Sequence, residues 1–294
     1  TNTALPQNIT WTSSHNGSPT SPITLSRNWI YKFQNVSGSY ANWTSVGQNG
    51  LLLAGQGYTL KGSGATTPNQ NYTFVGKPNN GLITTQVAAT NMNLSGNPYP
   101  SALDANLFIT ENLGVIEGTL YFWEHFTTNN THNLSGYQGG YAARTLVGGT
   151  APVAPAGVSG LGSSSKIARR YIPVGQGFFI KGNETGGTVV FNNNMRTFIR
   201  EENSNSNTVF RTANATTSAN HFYNNTEDEV ESDRFMKVRL GFNSYNNFHR
   251  QLLIGFMDNL ATENFDPGYD AIHIDNQQND MYFVLGEQKL VIQG

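Results

Sequence analysis

Asp258, Glu263, Asp266, Asp270 and Asp275 fall within one turn-rich stretch that also carries Pro267 and Gly268. Hard cations take several oxygen ligands from a single loop, so Asp258, Glu263, Asp266 and Asp270 are the candidate ligands of a structural Ca²⁺. Their spacing fits no EF-hand, and solvated turn carboxylates are the competing reading. No other cofactor is expected. Hydrolytic chemistry has weaker footing. Glycoside hydrolysis needs two carboxylates flanking a cleft, yet Glu117 and Glu124 bracket the strand around Trp123, and the densest acidic run, Glu227 to Asp233, reads as an exposed loop. Ser163-Ser164-Ser165-Lys166 matches an acylase dyad only nominally, inside a serine run, and Gly157-Val158-Ser159-Gly160-Leu161 lacks the last glycine of a nucleophile elbow. The six histidines are scattered singly. No enzyme is expected.

Aromatic side chains offer different chemistry, because a flat apolar ring can carry a sugar ring while Asn and Gln supply hydrogen bonds. Trp43, Tyr99 and Trp123 are the candidate ligand-binding residues. Trp43 stands out because Ala41-Asn42-Trp43-Thr44 reads as a polar loop, where packing explains a large ring poorly. Tyr58 and Phe178 occupy equivalent places in a repeat and read as core.

The elements that must position these residues are strands. Of the 294 residues 37% are hydrophobic and only 12% charged, with no cysteine. Polarity comes instead from Asn, Thr, Ser and Gly, which favour turns and strand faces over helix interiors. Zero cysteines excludes disulfides and thiolate sites. A net charge of -2, with no basic cluster beyond Arg169-Arg170, excludes a surface for nucleic acid. No run is long and apolar enough for a membrane span.

Gly55-Gln56-Gly57-Tyr58-Thr59-Leu60-Lys61-Gly62 returns as Gly175-Gln176-Gly177-Phe178-Phe179-Ile180-Lys181-Gly182. Each copy follows an aromatic strand (Trp29 to Phe33; Leu120 to Trp123) and precedes another (Tyr72 to Val75; Thr188 to Phe191), which implies duplicated units over about 25–80 and 117–195. The glycines read as close-approach positions rather than a phosphate cradle, because a strand and not a helix follows them. A helix is predicted after Pro98, with Ser101 as N-cap, Asp104 three residues on, and Leu103, Leu107 and Phe108 on one face. Met236, Val238, Leu240 and Phe242 alternate with Lys237 and Arg239, which predicts a strand with those four residues buried. It turns into Phe248 to Phe256, and a last hairpin joins Met281–Leu285 to Lys289–Ile292.

Several of these segments together resemble a known family. They are Tyr72 to Gly81, Gly96-Asn97-Pro98-Tyr99-Pro100-Ser101-Ala102-Leu103-Asp104-Ala105, Gly118 to Trp123, Gly175 to Phe179, and Phe191-Asn192-Asn193-Asn194-Met195-Arg196. Over about residues 25–294 the chain resembles a region of large Bacteroidota surface proteins exported by the type IX secretion system. The resemblance implies export, display on the outer cell surface, and partnership with the secretion and attachment machinery, in proteins often described as gliding-motility adhesins. It also implies further strands and a sorting domain after Gly294.

The combined expectation is an all-β, mainly antiparallel β-sandwich of jelly-roll type, with an internal duplication and one short helix. Residues 1–225 form the duplicated region and 226–294 a smaller β region leading into a C-terminal domain. The expected function is a non-catalytic adhesin or structural module. The alternative is a carbohydrate-binding module of a polysaccharide-degrading protein, with surface glycans or other copies of the chain as partners. Low charge leaves strand edges open to pairing with another chain.

Overall fold

The computed structural model describes residues 4–36, 39–65, 70–126, 133–199 and 235–294. The acidic run 227–233 therefore lies outside the described residues. The described chain is built of strands with one α-helix. The N-terminal part holds β1 (Ile9–Thr12), β2 (Ile23–Ser26), β3 (Tyr31–Val36), β4 (Ser39–Ser45), β5 (Ile83–Val87), β6 (Met92–Gly96) and β7 (Ala102–Asp104). Helix α1 (Ala105–Asn112) follows, then β8 (Leu120–His125), β9 (Gly139–Arg144), β10 (Tyr171–Ile172), β11 (Gly177–Lys181), β12 (Gly187–Phe191) and β13 (Arg196–Thr197). The last part contains β14 (Met236–Asn243), β15 (His249–Phe256), β16 (Ala271–Ile272), β17 (Phe283–Leu285) and β18 (Gln288–Gln293).

A four-stranded sheet in the order β6-β11-β8-β9 lies at the centre, and its described pairings are antiparallel. Period-2 alternation sends Leu120, Phe122, Phe178 and Ile180 to one face, where they meet Phe108 and Ile109 of α1 and Val189 and Phe191 of β12. Tyr121, Phe179, Leu94 and Ala143 take the other face and pack on Leu252, Leu253, Val291 and Ile292 of the C-terminal sheet. That sheet runs β14-β15-β18-β16, with β17 beside β18. It is tied back by Thr119 Oγ1, which donates to the Asp270 carbonyl at 3.0 Å, and by the Gly268 amide, which donates to the Glu117 carbonyl at 2.8 Å. The result is a layered β-sandwich whose middle sheet serves two cores.

The two repeat copies meet on β6. Ser95 bridges to Gln56 along one edge and pairs with Phe178 along the other. Gly57 is required there, because a Cβ would stand 2.4 Å from the Ser95 carbonyl oxygen. The copies differ beyond the turn. Phe178 to Ile180 lie in β11, whereas Tyr58 to Leu60 form no strand and instead pack beside Leu5, Ile30 and Leu52. Tyr72 to Val75, expected as a strand, form none either, and Phe74 and Val75 are exposed.

Two further expectations are corrected. The helix starts at Ala105 with Asp104, not Ser101, as N-cap: the Asp104 carboxylate accepts from the Asn106 and Leu107 amides at 2.9 and 3.4 Å. Ala102 to Asp104 are spent in β7 between β10 and β13, so Leu103 is a strand residue and Leu107 faces outward. On β14 the faces are inverted. Met236, Val238 and Leu240 are exposed, because Arg239 points inward and donates to the Gly149 carbonyl at 2.6 Å.

Truncating a side chain on either face of the middle sheet should unfold the whole unit. Phe122→Ala and Tyr121→Ala are each expected to cost about 3–5 kcal/mol, read as lowered midpoints in urea by circular dichroism. A loss below about 1 kcal/mol for either would show that its core is dispensable.

Candidate functional site

Along β8, the alternation that buries Phe122 brings Trp123 to the opposite face, and on β9 it brings Tyr141 there as the cross-strand partner of Trp123. Trp123 and Tyr141 meet edge to face with centroids 4.8 Å apart, and Tyr137 lies nearly parallel to Trp123 at 5.9 Å. The indole can lie against β9 because residue 139 is glycine, where a Cβ would stand 2.5 Å from Trp123 Cζ2. The row continues both ways. His125 sits 4.8 Å from Tyr137, and Tyr141 meets Phe179 edge-on at 5.7 Å. Phe179 meets Phe33 at 5.2 Å, and Phe33 meets Trp43 at 5.0 Å.

Residues from β3, β4, β11, β9, β8 and the segment before β9 thus form one chain of ring contacts. Edge-to-face pairs contribute about 0.5–1.5 kcal/mol each beyond burial, so the rings hold one another in fixed orientations. Trp43 keeps 46% of its surface exposed, and Trp123, Tyr137 and Tyr141 are half-buried beside an exposed His125. Burial pushes the Tyr137 phenol above its ordinary value, with a hydrogen bond to Trp123 acting the other way. At Tyr141 the row reaches a small opening also lined by Arg250, Ile274 and Asp275.

Of the residues singled out from sequence, Trp43 and Trp123 belong to this row. Trp43 lies in β4 rather than in a loop, opposite Phe33. Tyr99 does not belong. It is buried at 1% exposure, donates to the Gly81 carbonyl at 2.6 Å, and carries the Arg196 guanidinium over its ring. Phe33, Tyr137, Tyr141, Phe179 and His125 were missed, although the alternation Tyr121, Trp123, His125 was a visible signal.

The carboxylates are engaged elsewhere. Asp266 accepts from Thr262, Asp270 accepts from the Asp266 and Gly294 amides at 2.8 Å each, and Glu263 is exposed. Among the described residues no three His, Asp or Glu side chains converge on a cation position. Glu124 pairs with Lys166 at 2.9 Å and Glu117 with Lys181 at 2.8 Å. Ser163 Oγ accepts from the His249 amide at 2.8 Å, so the nominal serine-lysine dyad is divided between two structural roles.

One buried polar cluster joins Asp275, from the acidic stretch read above, and its near neighbours His273 and Asp280 to Arg250 of β15. Arg250, 2% exposed, makes paired hydrogen bonds to Asp275 and to Asp280, and His273 Nε2 lies 3.0 Å from Asp280. Burial alone would raise the Asp280 carboxyl, but His273 and Arg250 outweigh it and hold the group far below the ordinary carboxylate range. A depressed carboxyl stabilises the fold above its unfolded value of about 3.9 and loses that contribution as pH falls toward the folded value. Asp280→Asn should therefore cost stability near neutral pH, with the deficit shrinking below about pH 4. A deficit independent of pH in urea melts would contradict this assignment. Arg250→Ala should cost about 3–5 kcal/mol by stranding two acids.

A family model described as a domain of unknown function (DUF8693) matches residues 7–294. No curated protein and no solved structure matches the chain.

Proposed function

We propose, from the premise that the chain belongs to this family of domains of unknown function, that it is a non-catalytic recognition module of a secreted bacterial surface protein. Its resemblance to the region found in type IX-exported proteins supports display on the outer cell surface. The observation that carries the recognition reading is the row of rings from Trp43 through Phe33, Phe179, Tyr141 and Trp123 to Tyr137 and His125. Phe179 is buried in the second core and anchors the row, so the accessible rings are Trp43 at one end and Trp123, Tyr137, Tyr141 and His125 at the other, platforms on which the apolar faces of a saccharide stack while its hydroxyls remain hydrated. Adhesion and carbohydrate binding then become one activity. The structural pairing of Glu124, Glu117, Asp275 and Asp280 supports the absence of catalysis by paired carboxylates.

Binding of the purified chain to a broad glycan panel, in calcium and in EDTA, tests this reading. Saturable binding to a defined glycan should survive EDTA and weaken about 30-fold or more in Trp123→Ala, the size of a strong interface truncation. Trp43→Ala should weaken it less, since that ring ends the row. Absence of binding, or binding indifferent to both substitutions, would refute the proposal.

A further inference from the structure

We infer that Asn16 is a site of spontaneous covalent modification, with water as co-reactant and Lys61 as the group that assists it; this goes beyond the saccharide reading and does not rest on it. Asparagine followed by glycine is prone to ring closure, because the next amide can attack the side-chain carbonyl and glycine puts no Cβ in the way. Three such pairs occur: Asn16-Gly17, Asn49-Gly50 and Asn80-Gly81. The fold occupies the attacking amide in two of them. The Gly50 amide donates to the Val46 carbonyl at 3.1 Å, and the Gly81 amide donates to Asn193 Oδ1 at 3.0 Å. The Gly17 amide donates to no acceptor among the described residues, and Asn16 is exposed to water.

On the carbonyl side, Asn16 is set apart by Lys61, whose Nζ donates to Asn16 Oδ1 at 3.1 Å. Trp29 holds both partners. The Lys61 ammonium lies 5.6 Å from the Trp29 ring centroid, and Trp29 Nε1 donates to the His15 carbonyl at 2.7 Å. Ser26 Oγ and Asn28 Nδ2 donate to the carbonyls of Ser14 and Ser13 at 2.6 and 2.7 Å, so the chain leading into Asn16 is tied down at consecutive residues. When the Gly17 nitrogen adds to Asn16 Cγ, negative charge gathers on Oδ1, the atom that already faces the ammonium, and a cation placed there lowers the barrier. The Cγ–Nδ2 bond then breaks, and ammonia leaves carrying the Gly17 amide proton. Water opens the resulting succinimide at either carbonyl, giving aspartate or isoaspartate at position 16. The new carboxylate turns a neutral contact with Lys61 into an ion pair. Asn80 has the charge alone: Arg196 Nη1 donates to its Oδ1 at 2.9 Å, but the Gly81 amide is spent.

Incubating the full chain at mildly alkaline pH in isotopically labelled water, then mapping its peptides by mass spectrometry, tests this. In the folded chain residue 16 should convert about tenfold or more faster than residues 49 and 80, take up one oxygen from water, and yield both aspartate and isoaspartate. In urea above the unfolding midpoint the three pairs should react at similar rates, because the selectivity belongs to the fold. Lys61→Met should slow conversion at residue 16 about tenfold with an unchanged circular dichroism spectrum, and Lys61→Arg should restore most of the rate. The effect is smaller than the roughly 100-fold or more of a buried oxyanion donor because this site is open to solvent and salt. Conversion at residue 16 no faster than at 49 and 80 in the folded chain would overturn the inference. So would a rate unmoved by Lys61→Met in a natively folded variant, since the charge would then play no part. A peptide linking residues 16 and 61, with ammonia lost and no label gained, would make Lys61 the nucleophile and overturn the role given to water.

Discussion

The two larger hydrophobic cores among the described residues lean on one sheet that is buried from both sides. In β8 and β11 consecutive residues go to different cores: Leu120 and Phe122 to one, Tyr121 to the other, and likewise Phe178 and Ile180 against Phe179. Such strands cannot show the polar alternation of an exposed sheet face, which is why Leu120 to Trp123 and Phe178 to Ile180 read as unbroken apolar runs. The aromatic row exists because the C-terminal sheet covers only part of the outer face. Where that cover ends, the same alternation that buries Tyr121 presents Trp123.

The motifs that carry the family resemblance have a structural explanation of their own. Arg196 donates to Asn80, Asn193 and Ser101, the Gly81 amide donates to Asn193, and the Tyr99 hydroxyl donates to the Gly81 carbonyl. Asn97 adds bonds to the carbonyls of Ser101, Ile172 and Pro173. Segments distant in sequence are thereby closed into one polar network beside the first core, exposed at Asn80 and Asn193 and buried at Asn97, whose amide would be costly to leave without its carbonyl partners. These residues hold the scaffold together. Of the rings in the aromatic row, Trp123 and Phe179 close two of the same motifs, whereas Phe33, Trp43, Tyr137 and Tyr141 lie outside them.

Much of the fold was legible because it depends on local pattern. The Asn/Thr/Gly composition announced strands and turns, and the two C-terminal hairpins appeared where alternation and turn residues placed them. What escaped depends on tertiary context. Tyr58-Thr59-Leu60 and Phe178-Phe179-Ile180 both read as strand, but only the second carries an apolar residue, Phe179, for a second core and pairs with strands on both edges. The helix start was displaced because Ala102 to Asp104 are claimed by β7. The faces of β14 were inverted because alternation specifies that two faces differ, not which is inward, and Arg239 settles that by reaching Gly149. Of the row of rings, Trp43 and Trp123 could be singled out by residue type, but its continuity joins six separate segments. In the buried cluster His273, Asp275 and Asp280 are near neighbours in sequence, and only Arg250, which holds both acids, comes from elsewhere.

The central claim is that the middle sheet makes both cores one cooperative unit, so that residues 236–293 do not stand apart from the rest. Amide hydrogen exchange read by mass spectrometry tests it most directly. The account predicts that peptides from β8, β11, β15 and β18 share the slowest exchange and are released together in a single opening as urea is added. If β15 and β18 instead exchanged through their own opening while β8 and β11 stayed protected, the C-terminal sheet would be an independent domain and the shared-sheet account would be wrong.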